Sequence, residues 1–249
     1  MRYATNKHPP LFSLYAFAFL KKDVAKEYSF EYNKYKESEV IMAKVILLNG
    51  SPHKSGSTYT ALFEVKNELE RCGIEAEIIH IGDRGHVGCN ACGGCKSLGR
   101  CVIDDGVNEV SQKLDEADGV VIGSPVYYAS PNGNLLGFLD RLFFSSSRVN
   151  KPMKVGAAVV SARRGGCSAT FDALNKYFMI SGMPVVSSNY WNMIHGSCAE
   201  DAKEDLEGMQ TMKMLGRNMA FLIKAIAREK EASGLPEGEK KVYTNFIRR

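Results

Sequence analysis

The 249-residue chain has no apolar run long enough to cross a bilayer, no stripe of clustered Lys or Arg, and no stretch that reads as an interdomain linker. Each absence excludes something. The apolar stretch at residues 11–20 falls well short of the about 20 residues a span needs, so no membrane partner is expected. Arg2 and Lys7 precede that stretch, but Lys21 and Lys22 follow it directly and no small-x-small cleavage site appears, which argues against a secretory signal. The net charge of +4 is mild and unpatterned, so no nucleic-acid partner is expected. Seven cysteines are an odd number at short spacings, which disfavours disulfides and fits a cytoplasmic protein. With 45% hydrophobic residues and no linker, one domain with a sizeable core is the expectation.

Residues 1–42 read as a dispensable N-terminal extension, poorly ordered or the product of a start placed too early. The segment 27–39 is polar and aperiodic, whereas Met42 opens a clean buried strand. From there apolar runs alternate with amphipathic ones. Strands are expected at 44–49, 76–80, 119–123, 154–160 and 184–187, and helices at 58–71, 107–116, 134–144, 169–180 and 201–231. This is an α/β pattern of five βα units, a doubly wound parallel sheet in three α/β/α layers spanning residues 43–232, followed by a tail at 233–249. In the last helix Leu206, Met209, Met212, Leu215, Met219, Leu222 and Ile226 recur every three or four residues, which is core packing.

What is most informative is the spacing Cys89-x2-Cys92-x2-Cys95-x5-Cys101. Thiolates brought together through Gly-containing turns suit the corners of a 4Fe-4S cubane. A structural zinc usually takes two well-separated Cys-x2-Cys knuckles, and a surface loop of free thiols is the bland alternative. Cys72, Cys167 and Cys198 stand apart as buried or incidental thiols. Asp104 and Asp105, just beyond the quartet, read as caps of the second helix.

In doubly wound sheets ligands sit at the carboxyl ends of strands. The first such loop, residues 50–58, offers hydroxyls and a run of backbone N–H groups at a helix start, a cradle for a phosphate; the alternative is simple capping by Ser57 or Thr58. No Walker lysine precedes Ser57 and Thr58, and no Gly-x-Gly-x-x-Gly opens this crossover. A monophosphate such as that of FMN fits better, near the switch point of a 2-1-3-4-5 strand order. After the third strand, Pro125, Val126, Tyr127 and Tyr128 supply a rigid turn and flat side chains suited to a ring system. After the fourth, Ser161, Arg163, Arg164 and Gly165 allow close backbone approach to the pyrimidine edge of a flavin, with Arg163 or Arg164 either meeting an NADPH phosphate or solvated at the surface. Trp191 and His195 are placed to shape a substrate pocket or to pack structurally.

These residues together resemble a known family. Asn49-Gly-Ser-Pro-x-x-x-Gly-x-Thr58, the cysteine run followed by Asp104-Asp105, Gly123-Ser-Pro-Val-Tyr-Tyr128 with Leu139-Asp140-Arg141, and Gly182-Met-Pro184 with Tyr190-Trp-Asn-Met-x-His-Gly196 are similar to the NADPH-dependent FMN reductase group, most of all its iron-sulfur flavoprotein branch, over about residues 43–226. The resemblance implies a flavodoxin-like fold, bound FMN, and a homodimer or homotetramer. It assigns the FMN phosphate to Ser51, His53, Ser57 and Thr58, and the isoalloxazine to Pro125, Val126, Tyr127, Tyr128 and Ala129. Relatives often carry Arg at His53, Asn at Ser57 and Lys at Gly137, the last leaving one surface cation fewer.

The expected activity is electron transfer between NAD(P)H or a reduced ferredoxin and an acceptor, through FMN and a 4Fe-4S cluster held by Cys89, Cys92, Cys95 and Cys101. No general acid or nucleophile is required. Because the cysteine loop follows an edge strand, the cluster is expected nearer the FMN of a partner subunit than its own. Two alternatives belong beside this: a cluster-free NAD(P)H-dependent reductase of flavin, quinones, azo or nitro compounds, and an electron carrier or redox sensor without turnover.

Overall fold

The computed structural model describes residues 43–145, 153–240, 242 and 244, so the expected extension at 1–42 lies outside the described residues. Strand β1 (Lys44–Asn49) leads through helix α1 (Ser57–Arg71) to β2 (Glu75–His80). A short helix α2 (Cys95–Leu98) and α3 (Val107–Glu116) precede β3 (Gly119–Tyr127), a two-residue β4 (Ser130–Pro131) and α4 (Gly133–Ser145). The chain then forms β5 (Val155–Ala162), α5 (Cys167–Ile180), β6 (Met193–His195), α6 (Ala199–Glu204) and α7 (Leu206–Ser233).

The parallel strands run in the order β2-β1-β3-β5-β6, with β4 folded back antiparallel on the end of β3. Without that hairpin arm this is the expected 2-1-3-4-5 arrangement. Successive strand residues point to opposite faces, and the chain fills both. Ile46, Leu48, Val120, Ile122, Ala158 and Val160 pack under α3, α4 and α5. Val45, Leu47, Val121, Val155, Ala157 and Val159 pack under α1 and α7. Each fully buried Leu or Ile contributes about 1.5–3 kcal/mol, so these two slabs hold the three layers together.

Four expectations need correction. At 184–187, where the sequence predicts the fifth strand, the chain makes only an isolated bridge between Gly156 and Val185, and the ladder resumes at Met193–His195. Between the two pieces Asn192, almost wholly buried, donates its side-chain amide to the Ala158 carbonyl (3.1 Å) and so takes the place of a backbone partner. The last helix is two helices, broken at Asp205, whose carboxylate accepts from the Gly208 amide (2.9 Å) and the His195 amide (2.7 Å). Its apolar stripe packs as expected except at its first member: Leu206 is exposed, while Met212, Leu215 and Met219 are buried and Met209, Leu222 and Ile226 pack partly buried against the same core. Gly137 is not at the surface. It is buried on α4, where an added Cβ would lie 2.8 Å from the His86 carbonyl oxygen. Finally, neither Asp104 nor Asp105 caps α3, whose N-cap is Gly106 in a left-handed conformation.

Candidate functional site

The loop from β1 to α1 is shaped by its own polar side chains. Asn49, fully buried, accepts from the Ser51 amide (3.1 Å) and donates to the Lys54 carbonyl (3.2 Å), while Ser51 Oγ accepts from the His53 amide (3.1 Å). His80, at the end of the neighbouring β2, holds the Ser51 carbonyl at 2.8 Å. Helix α1 then starts at Ser57, with Gly56 at its N-cap and no side-chain cap. The capping alternative fails for a specific reason: both hydroxyls are used elsewhere. Ser57 Oγ lies within donating reach of two carbonyls, Cys198 (2.9 Å) and Gly196 (3.1 Å), which share its single proton, and Thr58 Oγ1 meets Ser161 Oγ at 2.7 Å in a buried position. The start of the helix therefore has no side-chain cap among the described residues, and a helix start carries about half a unit of positive charge.

At the end of β3 the chain turns tightly through Tyr128 (φ 53°) and Ala129 (φ 57°), between the paired residues Tyr127 and Ser130. A two-residue hairpin of this kind requires positive φ at both positions, where Gly or Asn is the usual choice. Tyr128 holds that conformation while fully exposed, so packing gives it nothing in return. Strain of about 1–3 kcal/mol kept at a sheet's carboxyl end is a mark of a ligand site. Gly166 (φ 89°), at the start of α5, lies so close to this turn that a Cβ there would sit 2.9 Å from Ala129 Cα.

The structure therefore brings three of the sequence-predicted segments together at one edge of the sheet. Ser51, Thr58 and Ser161 are buried, Pro125 and Val126 are half-buried, and His53, Tyr127, Tyr128, Ala129, Arg163 and Gly165 are exposed around them. A fourth segment, 196–198, is joined to the site by Ser57 through the Gly196 and Cys198 carbonyls. Trp191 is exposed and tilted against Tyr190, at 5.1 Å between ring centroids. His195 stands between the Asp205 carboxylate (3.5 Å) and the buried Cys167 thiol (3.9 Å), and burial pushes that thiol's pKa up.

The second predicted site lies beyond β2. Cys89, Cys92, Cys95 and Cys101 line one pocket together with Arg141 and Phe144. Cys89 and Cys92 are exposed, Cys95 is half-buried and Cys101 is buried. Left-handed Ala91, Gly93 and Gly99 turn the segment repeatedly. Cys101 is clamped by Asn108, which accepts from its amide (2.9 Å) and donates to its carbonyl (3.1 Å). Among the described residues no three His, Cys, Asp or Glu side chains converge closely enough to hold a single metal ion, and the four thiols share one pocket wall.

Arg141 carries no role in the sequence reading, although it stands in one of the four family motifs. It is 2% exposed, donates from Nη2 to Asp105 Oδ2, and places Nη1 3.7 Å from Cys101 Sγ. Among the described residues its Nε has no partner, and neither has Asp105 Oδ1. Burial alone would push the Asp105 pKa up, but the hydrogen bonds from Arg141 and His86 outweigh it and hold the carboxyl below its ordinary range. For Arg141 burial opposes the charge, and the bonds to Asp105 and Cys101 restore it. The segment entering the pocket is fixed by His86, whose amide donates to Asn134 Oδ1 (2.6 Å) and whose ring stacks edge-on against Phe138.

The residues present fit the groups the sequence suggests. Uncapped helix amides beside a buried hydroxyl pair suit a phosphate, and four thiols with a buried, partly unpartnered cation suit an anionic cluster. No helix among the described residues is long and apolar enough to cross a membrane.

Comparison with known proteins agrees. An iron-sulfur flavoprotein of Methanocaldococcus jannaschii is 32% identical over 200 residues, covering 74% of this chain and 100% of the relative. Another from Methanosarcina thermophila is 28% identical over 191 residues, covering 76% of this chain and 99% of the relative. Among solved structures, a flavodoxin from the domain Archaea superposes with a TM-score of 0.51 at 18% identity, over 74% of this chain and 99% of that one, and so shows the flavodoxin-like fold. The family model for NADPH-dependent FMN reductase matches residues 43–197. The chain thus belongs to that family of flavin oxidoreductases, and within it is most like the iron-sulfur flavoproteins.

Proposed function

We propose that the protein moves electrons between NAD(P)H or a reduced ferredoxin and a small-molecule acceptor, using FMN in the β1–α1 site and a 4Fe-4S cluster on the cysteine quartet. The observation that carries this is the α1 start, where Ser57 and Thr58 are both diverted from capping and the helix amides are left for an outside acceptor.

In this reading the amides of residues 56–58 bind the FMN phosphate with the Ser51 turn beside them. His53 stands exposed at the mouth of the cradle. Pro125, Val126 and the strained Tyr128–Ala129 turn orient one side of the ring system, and the backbone of Ser161, Arg163 and Gly165 borders its pyrimidine edge. Bound FMN supplies the conversion between hydride and single electrons, and a cluster supplies one-electron relay. The protein's part is position and electrostatics. Cys89, Cys92, Cys95 and Cys101 would hold the cluster, with Cys101 kept in place by Asn108. Because β2 is the sheet edge, a homodimer or homotetramer would bring this loop toward a partner's flavin site.

The test is an absorbance spectrum of anaerobically purified protein, with iron, sulfide and flavin counted. A yellow protein with four iron atoms per cubane, whose broad visible absorbance vanishes in Cys92→Ala/Cys95→Ala while flavin stays, supports the reading. Iron-free protein that still binds FMN and oxidises NAD(P)H points to a cluster-free reductase. Colourless protein that refuses FMN overturns the proposal.

A further inference from the structure

We propose that Arg141 raises the reduction potential of the cysteine-held cluster and that Asp105 partly offsets it. This rests on reading the quartet as cluster ligands, and goes beyond it by assigning a tuning device.

Arg141 is the largest fully buried side chain among the described residues. A buried cation is tolerated when a carboxylate satisfies it, most favourably through a two-pronged pair. Here the pair is incomplete. Among the described residues, Asp105 uses one oxygen on Nη2 and leaves the other without a partner, while Arg141 leaves Nε free and turns Nη1 to the Cys101 sulfur at 3.7 Å. The engaged oxygen, Oδ2, also meets His86 Nδ1 at 3.4 Å. The leftover donor belongs to a residue that lines the cysteine pocket.

Each reduction adds one negative charge to the sulfur-iron set. A fixed cation in a low-dielectric wall stabilises the reduced form more than the oxidised one, and a fixed anion does the reverse. Arg141 lines the cysteine pocket and reaches Cys101 Sγ at 3.7 Å, whereas Asp105 is not among the residues lining that pocket, so the cation dominates. The two side chains therefore push the potential in opposite directions. Arg141 is in this sense a positioning residue, acting on the cluster through charge.

The experiment is an EPR-monitored redox titration of anaerobically purified full-length protein at pH 7, comparing wild type with Arg141→Met, Arg141→Lys and Asp105→Asn, with iron and sulfide measured on each. At the wild-type midpoint, Arg141→Met is expected to lower the reduced-to-oxidised ratio about tenfold, which for one electron is about 59 mV. Arg141→Lys is expected to recover most of that loss, and Asp105→Asn to raise the ratio. If Arg141→Met cannot retain iron, the other two variants carry the test. Cluster-loaded Arg141→Met and Asp105→Asn proteins whose ratios stay within about twofold of wild type, or an Asp105→Asn shift in the same direction as Arg141→Met, overturn the assignment while leaving the cluster reading intact. Wild-type protein without iron overturns the cluster reading itself, and this inference with it.

Discussion

Thr58 and Ser161 share a 2.7 Å hydrogen bond between buried hydroxyls, tying the start of α1 to the end of β5. This contact joins the phosphate-type cradle to the loop beyond the fourth parallel strand, and it keeps Thr58 from capping its own helix. Replacing Thr58 by the near-isosteric Val leaves Ser161 Oγ buried without its partner, which costs about 1–3 kcal/mol. Urea unfolding and FMN titration of Thr58→Val are expected to show both lower stability and weaker FMN binding, with Thr58→Ser close to wild type. Unchanged stability in the Val variant would mean the bond is not made in solution.

Gly137 gives a prediction whose sign matters. In an exposed helix, Gly to Ala gains about 1 kcal/mol. Here the new methyl would meet backbone, the His86 carbonyl at 2.8 Å and the Gly88 amide at 3.3 Å, so the approach has to widen. A net loss of about 1–3 kcal/mol is expected. Iron content is expected to fall as well, because the 86–88 segment leads into Cys89. A more stable Gly137→Ala protein would contradict this packing.

Glu68 sets a pH dependence. It is 4% exposed and accepts from Arg217 Nε (2.7 Å) on α7 and Arg71 Nη1 (3.1 Å) on α1. The Arg217 hydrogen bond, opposed by burial and reinforced by Arg71, holds its carboxyl below the ordinary range. A folded-state pKa below the unfolded one adds stability that is complete above about pH 4.3 and is lost as pH falls through the folded value. The stability gap between wild type and Glu68→Gln is therefore expected to be constant near neutrality and to close in acid. Urea unfolding from pH 7 down to pH 3 measures it; a gap that widens in acid would reverse the sign.

Asn192 substitutes for a missing stretch of edge strand. Its amide holds the Ala158 carbonyl, Ser188 Oγ donates to its Oδ1 at 2.7 Å, and its own carbonyl accepts from Val160 (2.9 Å). Asn192→Ala is expected to cost about 1–3 kcal/mol. Hydrogen exchange would show faster loss of protection at Val160 and Val186 than at Val45 or Val120 on the central strands. Uniform loosening would place the effect elsewhere.

Much of the site is legible in the order of residues alone. The loop at 50–58, the turn after the third strand and the loop after the fourth each carry their chemistry in consecutive residues, and the crossover pattern says they meet. The cysteine spacing is equally local. Other features have no local signal. Asp105 reads as a helix cap because capping is a short-range rule, yet its partner Arg141 stands 36 positions along the chain. Gly137 reads as a surface position because α4 has no local sign that the 86–88 segment lies across it. The expected helix at 201–231 runs straight through Asp205, and only the His195 amide, on β6, reveals why the helix breaks there.

The amino-acid order by itself determined the alternation of strands and helices, the apolar faces that make a three-layer sheet, and which loops carry hydroxyls, glycines and thiols. These follow from periodicity and turn chemistry acting over a few residues. Which hydroxyl pairs with which, and which buried cation stands beside a cysteine, were decided only when parallel crossovers brought distant positions together. Desolvation makes each of those polar meetings obligatory, and its partner is chosen by the fold rather than by neighbours in the chain.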